Sequence, residues 1–368
     1  MYTAFACETV TGNNLGPLDV TISSWARELN GTDTATVVMS PGALTVTNRD
    51  LIRLYTTPWR MSLVVCWDGV PMFAGPFVTR QWSNTATTFN AVGFRSLFLK
   101  RKAHTWATPY ASQALSYTNM SLASIAQALA IVGTSHPGGS LPIVYPATEV
   151  DSDPTHVRNY PGYELKNISD IWTLLTGVKN GPDIDFLPSW TDATQTAIQW
   201  TMRLGTLAQP QLFQPQRVVF DVSSPQSSVS NLTYVEDGSQ LTTTQWAAGG
   251  GNDVGIPMSQ TTSTNLTSNG YPMLEEEVDY RTVIDQATLD TYTAGDLALH
   301  SVPVVQWSMT VDALQPPVMS SYNIGDRSLV RVANHIWIPD SVPAGYPMRI
   351  VGMSGNSSTS LTLKVQAG

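Results

Sequence analysis

Charge is scarce in this sequence. Asp, Glu, Lys and Arg together make up 13% of its 368 residues, about half the roughly 25% usual in globular domains. Ser, Thr, Asn, Gly and Pro take their place. A polar but weakly charged surface suits a protein packed against partners better than a free enzyme. The charges present are unbalanced, 19 basic against 28 acidic, for a net −9 and a pI of about 4.9. Basic residues form no stripe, and the tight cluster is Lys100, Arg101 and Lys102. Nucleic-acid binders draw most of their affinity from phosphate contacts, so stable DNA or RNA binding is not expected.

Cysteine is nearly missing. Cys7 and Cys66 lie far apart and neither belongs to a C-x-x-C pair. They read as free, half-buried thiols in a reducing compartment. Long hydrophobic runs are missing too. None approaches the roughly 18 residues of a membrane span. The N-terminus, Met1 to Glu8, has neither the basic nor the apolar stretch of a secretion signal. The N-x-[ST] tripeptides at Asn30, Asn119, Asn167, Asn231, Asn265 and Asn356 therefore reflect composition rather than glycosylation. No repeat recurs at a fixed period.

Catalytic signatures are equally thin. Gly352-Met353-Ser354-Gly355 lacks the spacing of a nucleophile elbow and reads as a β-turn. The five histidines, His104, His136, His156, His300 and His335, form no H-E-x-x-H and pair with no cysteine at ligand spacing. Gly249-Gly250-Gly251-Asn252-Asp253-Val254-Gly255 follows a strand pattern but has no P-loop lysine. Val254 also stands where a dinucleotide fingerprint needs glycine. It reads as a turned loop. Asp183 and Asp185 are the one carboxylate pair worth weighing. On a strand, residues i and i+2 share a face about 7 Å apart, within the span of an inverting glycosidase pair. Such enzymes place their two groups on different elements around a cleft, so a structural role is favoured. Glu275-Glu276-Glu277 reads as a solvated or interface strand end. The expectation is no catalytic, cofactor-binding or metal-binding residue, and no cofactor.

What the sequence does have is apolar patterning, with 42% hydrophobic residues and eleven tryptophans. Its length suggests two or three domains. Strand patterns cover Leu18–Trp25, Thr34–Met39, Leu51–Tyr55, Met61–Trp67, Phe77–Trp82 and Thr88–Phe94. Asp68-Gly69 between two apolar runs is a strong hairpin signal, because both turn positions need positive φ. Residues 101–205 change character. Ser121 caps a helix carrying Leu122, Ile125, Leu129 and Val132, which Gly133 ends. A second helix starts near Ser169, with Ile168, Ile171, Trp172, Leu175 and Val178 on one face. Asp183–Phe186 and Ile198–Leu204 follow as strands. Beyond 205 strands return at Val218–Val222, Leu232–Val235, Thr242–Ala248, Val304–Val311, Ser328–Val332, Met348–Met353 and Ser360–Val365. Asp285 caps one more helix, through Leu289 and Leu297 to His300. Most tryptophans fall inside these apolar elements, where core packing is the better reading than a sugar platform.

The layout is mainly β with an α+β insertion. Two β-barrel-like domains, 1–100 and 206–368, flank a small helix-containing lobe at 101–205.

Several segments, in order, resemble the minor tail proteins of long-tailed actinobacterial phages, a group related to the baseplate hub of contractile-tailed phages. They are Trp25 with Leu29-Asn30; Asp68-Gly69 leading to Phe73-Ala74-Gly75; Asp170 to Leu175 leading to Asn180-Gly181-Pro182-Asp183; Trp200 to Gly205; Gly270 to Glu275; Gly325-Asp326; and Arg349-Ile350 with Ser354-Gly355. The resemblance implies a non-enzymatic hub at the tail tip, a homotrimer below the ring of distal tail protein. It also implies neighbours among other minor tail and tip proteins and the tape measure protein. DNA would pass through the lumen without specific binding, and the location would be the virion tail tip after assembly in the host cytoplasm. A receptor- or carbohydrate-binding tail-tip protein, with exposed tryptophans as platforms, is the alternative.

Overall fold

A computed structural model describes residues 1–43, 48–151, 157–178, 180–212, 217–250, 255–280, 283, 285–333, 335, 337, 338 and 345–367. His156 and residues 251–254 of the glycine-rich stretch lie outside them. The chain divides into one unit of 1–232 with 308–368 and a second of 233–307.

The first unit opens with β1 (Tyr2–Glu8), β2 (Asn14–Pro17), β3 (Thr21–Glu28), β4 (Thr34–Met39), α1 (Arg49–Tyr55), β5 (Met61–Trp67), β6 (Val70–Trp82) and β7 (Thr87–Val92). The middle of the chain supplies β8 (Ala114–Tyr117), α2 (Leu122–Ser135), β9 (Ile143–Val144), β10 (Arg158–Pro161), α3 (Ile168–Thr176), β11 (Ile184–Trp190) and β12 (Ile198–Leu204). Then come β13 (Val218–Asp221) and β14 (Val229–Asp237). The second unit holds β15 (Thr244–Gly249), β16 (Met258–Thr262), α4 (Thr264–Ser268), β17 (Glu275–Tyr280) and α5 (Gln286–His300). Strands β18 (Val304–Asp312), β19 (Arg327–Arg331), β20 (Tyr346–Gly355) and β21 (Ser360–Ala367) close the chain. The fold is mainly β with helices inserted. No helix among the described residues is long and apolar enough to cross a membrane.

One sheet runs β21-β20-β3-β4-β7-β6-β5-β1-β2, with β19 pairing β20 and β13 pairing β19. Its N-terminal and C-terminal strands are stitched together where β3 pairs β20, from Glu28 opposite Gly352 to Trp25 opposite Gly355. The Asp68-Gly69 turn forms as its sequence predicts. Trp67 pairs Val70, and Asp68 and Gly69 take φ of 47° and 82°, the left-handed pair that a tight two-residue hairpin needs.

Ser121 caps α2 by accepting a hydrogen bond from the Ser124 N–H. Gly133 does not end that helix, which continues to Ser135. The glycine lets α3 approach, since a Cβ there would lie 2.6 Å from Ile168 Cδ1. Three further expectations are corrected. Leu51–Tyr55 is helical, not a strand. Leu and Arg favour helix, Ile52 is its one β-branched residue, and the half-exposed Leu51 and Leu54 pair with no sheet. Gly352–Gly355 is not a turn but lies within β20, where the pairing register with β21 slips between Ile350 and Gly352. The β20–β21 connection falls just beyond, at 356–359. Val178 is exposed, because α3 stops at Thr176.

The interior beneath this sheet is aromatic. Phe94 stacks on Trp200 at 4.2 Å between ring centres, and Phe98 meets Trp172 at 4.6 Å. Trp172 Nε1 donates to the Ala126 carbonyl at 3.0 Å and Trp200 Nε1 to that of Ala74 at 3.2 Å, so neither indole is buried with an unmet donor. Helices α2 and α3 add Ile125, Leu129, Ile171 and Leu175 to the same core. The second unit is a three-stranded sheet in the order β16-β15-β17 with α5 packed on it.

Candidate functional site

Four charged side chains of one network, Arg27, Asp185, Arg203 and Arg349, are carried by strands that otherwise bury apolar residues. On β3 the slip in pairing between Ile22 and Ser24 puts Trp25 and Arg27 on the buried face, and both are about 1% exposed. A guanidinium so deep must find carboxylates, because an unpaired buried charge is prohibitive. Arg27 Nη2 meets both oxygens of Asp185, at 2.9 and 3.0 Å. Its Nε lies 3.7 Å from Asp33. Asp185 also receives Arg203 Nη1 from the neighbouring strand β12 at 3.4 Å. Arg203 in turn donates to the Ile324 carbonyl at 3.1 Å and sits 3.9 Å from the buried Asp326.

Two residues earlier, Asp183 is the second node. It pairs with Arg349 of β20. It accepts from Asn30 Nδ2 at 2.9 Å and from the Leu212 N–H at 2.8 Å. Asn30 returns a bond by accepting from the Ile184 N–H at 2.7 Å, and its own carbonyl accepts from Arg95. Arg95 reaches onward to Ser169 and Thr173 of α3. The network therefore ties β3 and the turn after it, the β11–β12 hairpin, α3 and the C-terminal strands into one piece.

Burial decides the protonation behaviour. Desolvation pushes Asp33 from its usual 3.8 up to about 7, with Arg27 opposing and Asp185 adding to the rise. Asp326 is raised by burial, against the pull of Asn323 N–H and Arg203. Burial lowers Arg95 to about 10. These shifts belong to a packed ion network rather than a cleft. The carboxylates of Asp183 and Asp185 are each 5% exposed and already hold several donors. The pair forms a structural joint, tying the start of β11 to β3, β12 and β20.

The other sequence candidates are dispersed. Trp25, Trp172 and Trp200 are core; Trp82, Trp106 and Trp337 are exposed. His104 accepts from the Trp106 N–H through Nδ1 at 2.8 Å and therefore donates from Nε2 to the Tyr110 carbonyl at 3.0 Å. His136 lies flat on the Trp106 indole, 4.1 Å between ring centres. Cys7 and Cys66 are free and fully buried rather than half-buried. Among the described residues no three His, Cys, Asp or Glu side chains gather as a metal site. Of the basic cluster, Arg101 is spent on the Gly133 and Gly139 carbonyls and Lys102 on Asn167.

The sequence reading did not foresee the network, although its signal was present. Five of its members, Asn30, Asp183, Arg203, Asp326 and Arg349, stand inside the segments that carry the tail-protein resemblance. Segments scattered over the chain meet in one buried place.

No protein-family model matches the chain, and no curated protein matches it in sequence. Solved structures do share its fold. The 43 kDa tail protein of prophage MuSo2 from Shewanella oneidensis superposes with a TM-score of 0.59 at 10% identity, covering 99% of this chain and 98% of that one. A tail protein from Neisseria meningitidis gives 0.55 at 12% identity, over 99% and 96%. Prophage tail protein gp18 from Listeria monocytogenes gives 0.50 at 10%, over 99% and 95%. Over nearly its whole length the chain has the fold of these tail proteins.

Proposed function

We propose that this chain is a non-enzymatic structural subunit of a phage tail tip, a hub beneath the distal tail ring of a long-tailed phage. The observation that carries the reading is the full-length likeness to three tail proteins, with no large part of either chain left over. The buried network supports it physically, because a hub under load needs its N-terminal and C-terminal strands locked together. In this reading three subunits form a ring. Each contributes two β-barrel-like parts, 1–100 and 206–368, around the lobe at 101–205, so that a trimer matches a six-fold neighbour. The partners are the distal tail protein ring, other minor tail and tip proteins and the tape measure protein. The subunit assembles in the host cytoplasm, ends in the virion tail tip, and serves attachment and genome ejection. An acidic wall would let DNA slide without sticking. Deleting the coding sequence from its phage tests this. Tails should then lack a complete tip and be restored by the supplied chain, whereas normal infectious tails from the deletion would overturn the proposal.

One observation favours a second reading, a carbohydrate-binding tip. Trp106, stacked on His136, is 55% exposed and Tyr110 is 61% exposed, which is the kind of surface on which sugar rings stack. Quenching of tryptophan fluorescence by cell-wall glycans, lost in Trp106→Ala, would support it.

A further inference from the structure

The net charge is not spread along the chain. Residues 233–307 hold ten acidic residues against one basic, Arg281, for a net −9, and the rest hold 18 acidic and 18 basic, for a net of zero. The whole excess therefore belongs to the second unit. Like charges crowded into a small body repel one another and oppose its compact state, and a positively charged partner relieves that repulsion. Several of these carboxylates share one surface. Helix α5 packs on β15 and β16, on the side where Tyr280 donates to Asp296 of that helix. The opposite face of the sheet carries Trp246 and, by the pairing register, Met258, Glu275, Glu277 and Asp279, and all five are exposed. Alternate residues on an edge strand such as β17 stand about 7 Å apart. Trp246 Nε1 donates to Glu275 at 2.8 Å. Glu275, Glu276 and Glu277 pair with no basic side chain among the described residues.

The first unit carries a face of the opposite sign. Helix α1 buries none of its residues fully and leaves Leu51, Arg53 and Leu54 exposed. Arg80 Nη1 donates to the Arg53 carbonyl at 2.9 Å, and the Trp59 N–H donates to that of Phe77 at 2.7 Å. These bonds strap α1 and the turn after it onto β6. Two residues beyond Arg80, and so on the same face of the strand, Trp82 is 71% exposed. Arg49 lies beside Asp50, but Arg53, Arg60 and Arg80 meet no carboxylate among the described residues. Three uncompensated cations thus stand among the exposed Leu51, Leu54, Trp59 and Trp82. Arg and Trp are the side chains enriched where protein interfaces bind most strongly. Each unit therefore presents a half-apolar face with unpaired charge, and the two signs match.

We infer that the α1–β6 face of one copy of this chain docks on the open β15–β17 sheet face of a second copy. The two faces are different surfaces, so the contact is head to tail, the kind that closes into a ring when its rotation allows. The inference names the surfaces of the proposed ring and rests on that reading only for the number of copies.

The test is sedimentation equilibrium of the full chain and two charge-reversed variants, Arg53→Glu with Arg60→Glu, and Glu275→Lys with Glu277→Lys. All four positions are exposed, so both variants should melt as the wild type does. The wild-type chain should self-associate, and more weakly as salt rises. Each variant alone should lose at least about a hundredfold in affinity, because like charges then face each other. Mixed, the two variants should associate again, since each offers the other a face of opposite charge. Trp82→Ala, which changes no charge, should weaken wild-type association about tenfold; with the mixture, it decides the matter should one variant fail to fold. A wild-type chain monomeric at every concentration, association that survives either reversal, or variants that stay apart when mixed would overturn the inference. Association that survives both reversals would leave a ring built on other surfaces. The tail phenotype of the deletion is read separately, so the docking and the hub reading can each fail alone.

Discussion

The two units of the chain bury different kinds of group. Residues 1–232 with 308–368 enclose stacked aromatic rings and a network of paired charges. Residues 233–307 enclose Ala247 and Leu289, with Leu266 and Leu297 nearly covered, among Thr243, Gln245 and Thr293, which are 0% exposed. Gln245 spends its amide N–H groups on the Trp246 and Glu276 carbonyls, while its Oε1 has no partner. A body of that length has little surface to bury, and this one fills part of its interior with hydroxyl and amide groups. The second unit is therefore expected to open more readily than the first.

Breaking the ion network should separate them most sharply. Arg27→Met leaves Asp185 with Arg203 alone and removes the guanidinium beside Asp33. Leaving a buried ion pair without one partner costs about 3–5 kcal/mol. Urea unfolding should show that loss in the first unit, while amide exchange in 233–307 stays unchanged. Leu289→Ala tests the converse. It should destabilise by about 2–4 kcal/mol, with exchange rising across β15–β17 and α5 and not across β3–β7.

A smaller effect follows from Asp33. Its folded-state value, about 7 against 3.8, means the folded chain holds this proton more tightly than the unfolded chain does. Its contribution to stability is complete below about pH 4, falls as pH rises through the window to 7, and is flat above. Asp33→Asn keeps an acceptor for the Glu28 N–H and cannot ionise. The difference in stability between wild type and variant should slope downward between pH 4 and 7 and level off beyond. A flat difference would contradict the buried-carboxyl account. The smallest effect concerns the thiols. Burial raises Cys66 to about 12 and Cys7 further. A thiol reagent should leave both untouched in the native chain and label both in urea.

The sequence announced those parts of the fold whose signals are local. Asp68-Gly69, the Ser121 cap and the β-branched run over Thr34–Met39 each act within a few residues, and each forms at its expected place. Leu51–Tyr55 misled because five residues of mixed propensity fit either period, and no burial on either face decides between them. The network was hidden for a different reason. Arg27, Arg203 and Arg349 look like ordinary solvent-facing strand residues until a slip in pairing or a distant strand covers them. Asp183 and Asp185 drew notice as a pair, but only the three arginines show what the pair is for. The Arg27–Asp185 and Arg349–Asp183 pairs span 158 and 166 residues and leave no local trace, whereas the tail-protein resemblance touched five of the same residues without the reason for it.

The most direct test of the hub account is native mass spectrometry of the purified chain, alone and mixed with the distal tail protein of the same phage. The account predicts a species of three times 39.9 kDa, either free or seated on that ring. A chain that stays monomeric at every concentration, and in the presence of the ring, would contradict it.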